Sequence, residues 1–228
     1  MKDSTIPSEI NVLGYSGSYL SLIFETLTSL KYTGNVFIYP NDAKRRAPYS
    51  FETDINYEVI NIETIKTKPK DNFIFCSNKP STKQFLFNFF ETEWKIKPVQ
   101  FISFYHVSSI LASSVNPNFG FYMEPCSVVS PYTKIGFGVT INRNCSVGHH
   151  NILHDYCSIH PGTNLTGDVE IGEAVAIGPG CTIFNSVKIG NNSIIGGGSV
   201  VTKDIPDNVL AFGNPCKIIK KLKNEPDN

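Results

Sequence analysis

The stretch that decides the fold is VEIGEAVAIGPGCTIFNSVKIGNNSIIGGGSVV, which runs from Val169 to Val201. An aliphatic residue recurs in it at every sixth position, and the same period extends back along the chain over thirteen positions: Val129, Ile135, Ile141, Val147, Leu153, Ile159, Leu165, Ile171, Ile177, Ile183, Ile189, Ile195 and Val201. Glycine often follows the aliphatic residue, and a small or β-branched residue lies two positions before it. This pattern is a hexapeptide repeat, which predicts a parallel β-helix.

The six-residue period predicts a triangular prism, in which three short strands close one coil of about eighteen residues. We expect the aliphatic side chain to point inward, with the small residue packed beside it. We expect the glycine to relieve the corner by adopting a positive φ. Successive coils should stack at the strand spacing of about 4.8 Å. Cys145, Cys157 and Cys181 fall in the small inward positions, so we interpret them as packing thiols.

The N-terminal part has a different pattern, which is typical of an α/β domain. Apolar strands are predicted at INVLG (Ile10–Gly14), NVFIY (Asn35–Tyr39) and NFIFCS (Asn72–Ser77). Helical spacing of apolar residues follows the first strand in SYLSLIFETLTSLKY and recurs in TKQFLFNFFETE. The fold class predicted is therefore a small α/β domain with a parallel sheet, followed by an all-β parallel β-helix.

Composition excludes several classes of function. Twenty basic and twenty acidic residues cancel, so no charge surplus favours nucleic acid or an anionic membrane as partner. No apolar run is long enough to span a bilayer, and the first fifteen residues lack the apolar core of a signal peptide, which predicts a cytoplasmic protein. The six cysteines form no CxxC pair and are interpreted as free thiols.

Four of the five histidines lie in SVGHHNILHDYCSIHPG, between Ser146 and Gly162. His149 and His154 have the H-x4-H spacing of a metal site. The six-residue register nevertheless distributes His149, His154 and His160 over different sides of the prism, and His106 lies outside the readable repeat. We therefore expect no metal in this chain.

Three features together resemble the sugar O- and N-acyltransferases of the sialic acid O-acetyltransferase and nucleotide-amino-sugar N-acetyltransferase group. These are a glycine turn after the first strand, the repeat with VGHHNILHDYCSIHPG, and the ending GNPCKIIKK. The resemblance implies a left-handed β-helix, a homotrimer, acetyl-CoA as co-substrate and a nucleotide-linked amino sugar as acceptor, in bacterial surface glycan biosynthesis. It also implies three segments: a Rossmann-like sugar-nucleotide-binding domain (1–103), the acetyltransferase β-helix (104–206) and a C-terminal cap (207–228).

The resemblance also implies site residues. His149 matches the general base, a role that suits an imidazole at neutral pH. His150 and Asp155 are candidates to orient that base, because the acidic residue that normally follows it is His150 here. Candidate substrate-binding residues are Gly14, Ser16 and Gly17 of the GYSGSY loop, together with Asn142. Candidate coenzyme-binding residues are Ser158, Gly167, Gly197 and Lys217.

Three other functions stay open at this point. An O-acetyltransferase of the same group would use the same histidine on a hydroxyl. A metalloenzyme similar to the γ-class carbonic anhydrases would place zinc at a subunit interface. A non-catalytic β-helix module is suggested by the altered GYSGSY loop and by the missing acidic partner of His149.

Overall fold

The computed structural model describes residues 6–41, 51–65 and 67–222. The chain divides into two compact units, one made of Met1–Asn78 and Thr82–Ile102 and the other of Lys79–Ser81 and Ser103–Asn228. Among the described residues, no helix combines the length and the apolar character that crossing a bilayer would need.

The first unit is a four-stranded parallel sheet with helices. Its strands are β1 (Glu9–Leu13), β2 (Asn35–Tyr39), β3 (Asn56–Val59) and β4 (Phe73–Phe75), in the order β3-β2-β1-β4. Its helices are α1 (Gly17–Ser29) and α2 (Pro80–Trp94), with a 3₁₀ turn at Pro98–Gln100. The three predicted strands and both predicted helices are confirmed. Strand β3 was missed because three of its four residues are exposed, so it carries no apolar run.

The second unit is built from short strands that form three sheets, one for each face of the coil. The strands within each sheet are parallel, apart from the last strand of the chain. Face 1 contains β5 (Phe104–Tyr105), β7 (Tyr122–Met123), β10 (Thr140–Ile141), β13 (Ser158–Ile159), β16 (Ala176–Ile177), β19 (Ile194–Ile195), β21 (Val209–Phe212) and β22 (Lys217–Lys221). Face 2 contains β6 (Ile110–Leu111), β8 (Val128–Val129), β11 (Ser146–Val147), β14 (Asn164–Leu165), β17 (Thr182–Ile183) and β20 (Val200–Val201). Face 3 contains β9 (Lys134–Ile135), β12 (Ile152–Leu153), β15 (Glu170–Ile171) and β18 (Lys188–Ile189). The predicted β-helix is confirmed.

Each residue of a coil pairs with the residue eighteen positions along the chain, as Ile141 does with Ile159 and Ile159 does with Ile177. The thirteen aliphatic residues of the repeat are at most 5% exposed and form one continuous core. Cys145, Cys157 and Cys181 are buried in the same core, which confirms that they are packing thiols. Burial raises the pKa of the Cys145 thiol to about 11, so it is protonated at neutral pH.

The glycine that follows the aliphatic residue is needed for a different structural reason from the one predicted. Positive φ occurs three positions after the aliphatic residue, at Tyr132, Gly138, Asn144, His150, Tyr156, Gly162, Asp168, Ala174, Gly180, Ser186, Asn192 and Gly198. A Cβ at Gly148 would lie 2.4 Å from the Thr166 carbonyl oxygen, and one at Gly178 would lie 2.5 Å from the Gly197 nitrogen. Glycine is therefore needed because the backbone of the next coil lies too close, and the prediction about φ is wrong.

The first coil begins earlier than the readable repeat. The amide of His106 donates to the Met123 carbonyl at 3.0 Å, directly after β5 pairs with β7. His106 therefore lies inside the β-helix, although it precedes the repeat that can be read from the sequence. Tyr105 and Leu111 occupy repeat positions and pack against the core. Because Tyr105 is aromatic and not aliphatic, the six-residue pattern is not visible there in the sequence.

The C-terminal tail leaves the six-residue register. Strand β21 pairs with β19 at an offset of sixteen residues, with Leu210 beside Ile194. Strand β22 then folds back antiparallel on β21. The tail thus extends face 1 by two strands.

Candidate active site

His149 lies at the corner where the chain passes from face 2 to face 3, just after β11. Its ring lies against Gly167, which is stacked one coil further along. A Cβ at Gly167 would come within 2.6 Å of His149 Cε1 and 2.8 Å of its Nε2. The ring can occupy this place only because residue 167 has no side chain. The side chain of His149 is exposed, so a ligand can reach it.

His150 contacts His149 directly. The two Nδ1 atoms are 3.0 Å apart, and the rings meet edge to face with centroids 5.1 Å apart. A hydrogen bond at this distance requires one Nδ1 to carry a proton and the other to accept it. His150 has a φ of 56°, and its ring lies 5.0 Å from the Tyr132 ring of the preceding coil. His150 is thus placed to fix the orientation of the His149 ring.

Asp168 is the residue that the sequence analysis missed at this corner. One ligand atom from each of His149, His150 and Asp168 lies within 4.8 Å of the other two. The amide of Asp168 also donates to the His149 carbonyl at 3.0 Å. The signal was available, because Asp168 follows His150 by the eighteen residues of one coil.

Asp155 does not belong to this cluster. It lies at the next corner, where the chain leaves face 3, and its carboxylate accepts a hydrogen bond from the Phe137 amide at 2.7 Å. The carboxylate therefore satisfies a backbone amide of the preceding coil. The prediction that Asp155 orients the base is therefore wrong, and Asp168 is the carboxylate beside the two rings.

His154 takes part in an ion-pair network away from His149. Its Nε2 is 3.0 Å from Glu170 Oε1, and Lys188 Nζ is 3.0 Å from Glu170 Oε2. These residues line an open cavity with a volume of about 840 Å³, together with Asp155, Glu173, Asp204 and Asp207. His149 and His150 are not among its lining residues. The register had placed His149 and His154 on different sides of the prism, and the structure agrees.

The ion pairs of Glu170 predict how the free energy of unfolding changes with pH. Hydrogen bonds from His154 and from Lys188 hold the pKa of Glu170 below its ordinary value. A carboxyl whose pKa is lower in the folded state adds stability above its unfolded pKa and loses it as pH falls through the folded value. Glu170→Gln should therefore lower the free energy of unfolding at pH 7 by about 0.2–1 kcal/mol, because solvent screens this pair.

Urea unfolding at pH 7 and pH 3 checks this. The difference between wild type and Glu170→Gln should be smaller at pH 3 than at pH 7, because protonation of the carboxyl removes its ion pairs. Glu91→Gln, at an exposed position of α2, serves as the matched control and should unfold as the wild type does at both pH values. An equal deficit at both pH values would show that the ion pairs do not stabilise the fold.

Asn142 and Ser158 are less accessible than their predicted roles require. Asn142 is 1% exposed, and its amide donates to Glu124, which also accepts from the Arg143 amide and guanidinium, each at 3.2 Å. Among the described residues, Asn142 Oδ1 has no hydrogen-bond partner. Ser158 on β13 is fully buried. Their burial in this chain argues against direct contact of these side chains with substrate or coenzyme.

The GYSGSY loop joins β1 to α1 in the first unit. Gly14 has a φ of 91°, and a Cβ there would lie 2.8 Å from Leu86 Cδ1, so glycine is required. Ser16 precedes the first residue of α1, Gly17, and its side chain makes no capping hydrogen bond to the helix. Its amide donates to Cys76 Sγ at 3.2 Å. The loop thus presents the N-terminus of a 13-residue helix, which favours a phosphate group.

The candidate coenzyme residues are not brought together in one chain. Gly167 lies at the corner between faces 2 and 3, beside His149. Gly197 is exposed at the corner between faces 1 and 2, where a Cβ would lie 3.1 Å from the Pro179 carbonyl oxygen. Lys217 is exposed at the start of β22. A ligand that touches both glycines must therefore span two corners.

Comparison with known proteins places this fold. Residues 168–203 match the profile of the bacterial transferase hexapeptide (six repeats). This part of the chain is therefore similar to the hexapeptide repeats of bacterial transferases. A putative acetyltransferase of Staphylococcus aureus is 41% identical over 112 residues, which cover 40% of this chain and 56% of the relative. The chain spans about half the length of the curated relatives it matches.

Two solved structures extend the likeness to almost the whole chain. The acetyltransferase domain of PglB from Neisseria gonorrhoeae, in complex with acetyl coenzyme A, has a TM-score of 0.78 at 20% identity and covers 93% of this chain and 99% of its own. A histidine variant of perosamine N-acetyltransferase from Caulobacter crescentus, in complex with CoA and GDP-perosamine, has a TM-score of 0.78 at 23% identity, with coverage of 95% and 99%. These likenesses establish an α/β unit followed by a left-handed β-helix.

Proposed function

We propose that this chain is an acetyl-CoA-dependent N-acetyltransferase that acts on the amino group of a nucleotide-linked amino-deoxy sugar. The observation that carries the proposal is the exposed His149 ring, held against Gly167 and bonded through Nδ1 to His150, on a hexapeptide β-helix. The complexes of the two structural neighbours with acetyl coenzyme A, or with CoA and GDP-perosamine, support the substrate classes.

In the proposed reaction His149 is the general base. When its Nδ1–H donates to His150 Nδ1, the lone pair of its Nε2 is free to accept a proton. The sugar nitrogen attacks the thioester carbonyl carbon of acetyl-CoA and gives its proton to Nε2. The C–S bond then breaks, and CoA leaves as a thiolate that takes up the proton held on His149 Nε2, which restores the neutral base. No covalent acyl-enzyme is formed.

In the family that the chain resembles, an acidic residue orients the base. Here His150 and Asp168 together take over that role. In the proposed tautomer, His150 Nδ1 accepts the Nδ1–H of His149 across the 3.0 Å that separates the two atoms. The Asp168 carboxylate lies within 4.8 Å of both rings and stabilises the imidazolium that forms during proton transfer. A neutral acceptor and a nearby carboxylate thus share one function.

The separation of Gly167 and Gly197 supports a homotrimer. These glycines lie at two different corners of one prism. In a trimer, the Gly167 corner of one subunit would face the Gly197 corner of its neighbour, and a coenzyme in the groove between them would contact the backbone at both corners. His149 of one subunit would then face the coenzyme held against its neighbour. The GYSGSY loop at the N-terminus of α1 would bind the pyrophosphate of the nucleotide sugar.

The cellular setting is also a proposal. The six cysteines form no disulfide bonds, which supports a reducing compartment such as the cytoplasm. A nucleotide-linked amino sugar is a building block for a surface glycan. We therefore propose that the N-acetylated nucleotide sugar is used in the biosynthesis of such a glycan.

A thiol-release assay tests the proposed function. Purified protein is incubated with acetyl-CoA and a panel of UDP-, dTDP- and GDP-linked amino sugars, and free CoA is measured. We expect release with at least one amino sugar and none with the matching sugar that has a hydroxyl in place of the amine. Release with the hydroxyl sugar alone would identify an O-acetyltransferase, and no release with any sugar would support a non-catalytic module.

A further inference from the structure

The corner that carries His149 also has the composition of a site for a transition metal ion. Two imidazole rings and one carboxylate offer ligand atoms that all lie within 4.8 Å of one another. The part of the chain that the structure describes holds no second group of three such residues. Two nitrogen ligands and one carboxylate form a donor set that suits Zn²⁺ and its neighbours in the first transition row.

The spacing of the two rings fits one ion. Tetrahedral zinc with Zn–N distances of about 2.0–2.1 Å holds two nitrogen ligands about 3.3 Å apart. The Nδ1 atoms of His149 and His150 are 3.0 Å apart. An ion could therefore replace the shared proton with only a small movement of the rings.

The backbone holds the three residues in fixed positions. The His150 amide donates to the Pro131 carbonyl at 3.1 Å, and the Asp168 amide donates to the His149 carbonyl at 3.0 Å. Both bonds join adjacent coils. All three side chains are exposed, so an ion can enter from solvent. A set of donors that is already placed loses less conformational entropy when it binds.

We infer that His149, His150 and Asp168 bind one divalent cation of the Zn²⁺ type, and that this ion inhibits the proposed acetyl transfer. Binding does not depend on the proposed function, whereas inhibition rests on it. An ion on Nε2 of His149 occupies the nitrogen that accepts the proton. An ion on Nδ1 leaves the remaining proton on Nε2, which then has no lone pair to offer. Either mode removes the base.

Isothermal titration calorimetry with zinc chloride tests the binding. The full chain is used with Cys126→Ser in every variant, because Cys126 is an exposed thiol that could bind zinc on its own. We expect one zinc ion per chain, with Kd raised at least tenfold in His150→Ala and in Asp168→Asn. His154→Ala, a histidine at another corner, is the matched control and should bind as the parent does. No binding by the parent, or equal binding by all variants, would overturn the site.

A second measurement tests the inhibition. Zinc added to an active preparation should reduce CoA release, and a chelator should restore it. Asp168→Asn should need at least tenfold more zinc for the same inhibition. Zinc that binds in the calorimeter and leaves CoA release unchanged would overturn the inhibition alone. If no sugar supports CoA release, the proposed function fails, and calorimetry still decides whether the metal site exists.

Discussion

Replacing His149 by alanine should lower the turnover of the best amino-sugar substrate by about 100-fold or more, because general-base catalysis by a positioned side chain contributes a factor of that size. The imidazole of His149 lies against Gly167 and is exposed to a ligand. Its removal takes away the nitrogen that accepts the proton in the proposed reaction. The measurement is the steady-state rate of CoA release at saturating acetyl-CoA.

The structure provides a matched control for this experiment. His154 is also exposed and also belongs to the β-helix, but it pairs with Glu170 at another corner. His154→Ala should keep turnover close to the wild-type value. His150→Ala should have an intermediate effect on turnover, since it removes the Nδ1 partner and leaves the base in place. If His149→Ala retains wild-type turnover, the assignment of the base is wrong.

The second large effect concerns stability. Leu165→Ala should lower the free energy of unfolding by about 2–5 kcal/mol, which is the usual cost of removing a buried leucine side chain from a packed core. Leu165 is 2% exposed and is stacked between Val147 of the preceding coil and Ile183 of the next. The surrounding coils are hydrogen-bonded to each other, so they cannot collapse easily into the cavity.

The neighbouring residue on the same strand supplies the control. Asn164 points outward from β14 and is exposed. Asn164→Ala should change the free energy of unfolding by less than about 0.5 kcal/mol. Both variants are compared by urea unfolding at one fixed protein concentration, because subunit association would make the midpoint depend on concentration. Equal destabilisation by the two variants would contradict the assignment of inward and outward positions.

Much of the fold could be predicted because each coil repeats one local rule. Ile159 and Ile177 have different neighbours in sequence but the same position in the repeat, so one period assigned both to the core. The prediction failed where the rule was hidden, as at Tyr105, where an aromatic residue takes the inward position. It also failed at β3, where exposed residues form a strand through backbone hydrogen bonds to β2.

The candidate site was predictable only in part. The resemblance pointed to His149 and matched Ser158 to a role, whereas Asp155 was a candidate only as the carboxylate nearest in sequence. The structure shows that Asp155 accepts a hydrogen bond from another turn and that Ser158 is buried. Asp168 was missed because its contact with His150 depends on the stacking of two coils.

The sequence by itself determined the β-helix, its inward positions and the separation of His149 from His154, since a strict six-residue period leaves one way to bury the aliphatic residues. Only the tertiary structure decided that the His149 ring lies on Gly167, that its Nδ1 meets His150, and that a carboxylate from the next coil lies beside both. The physical reason is that the contacts with Gly167 and Asp168 join neighbouring coils, and that side-chain directions at a corner, including those of the adjacent His149 and His150, depend on the coils above and below it.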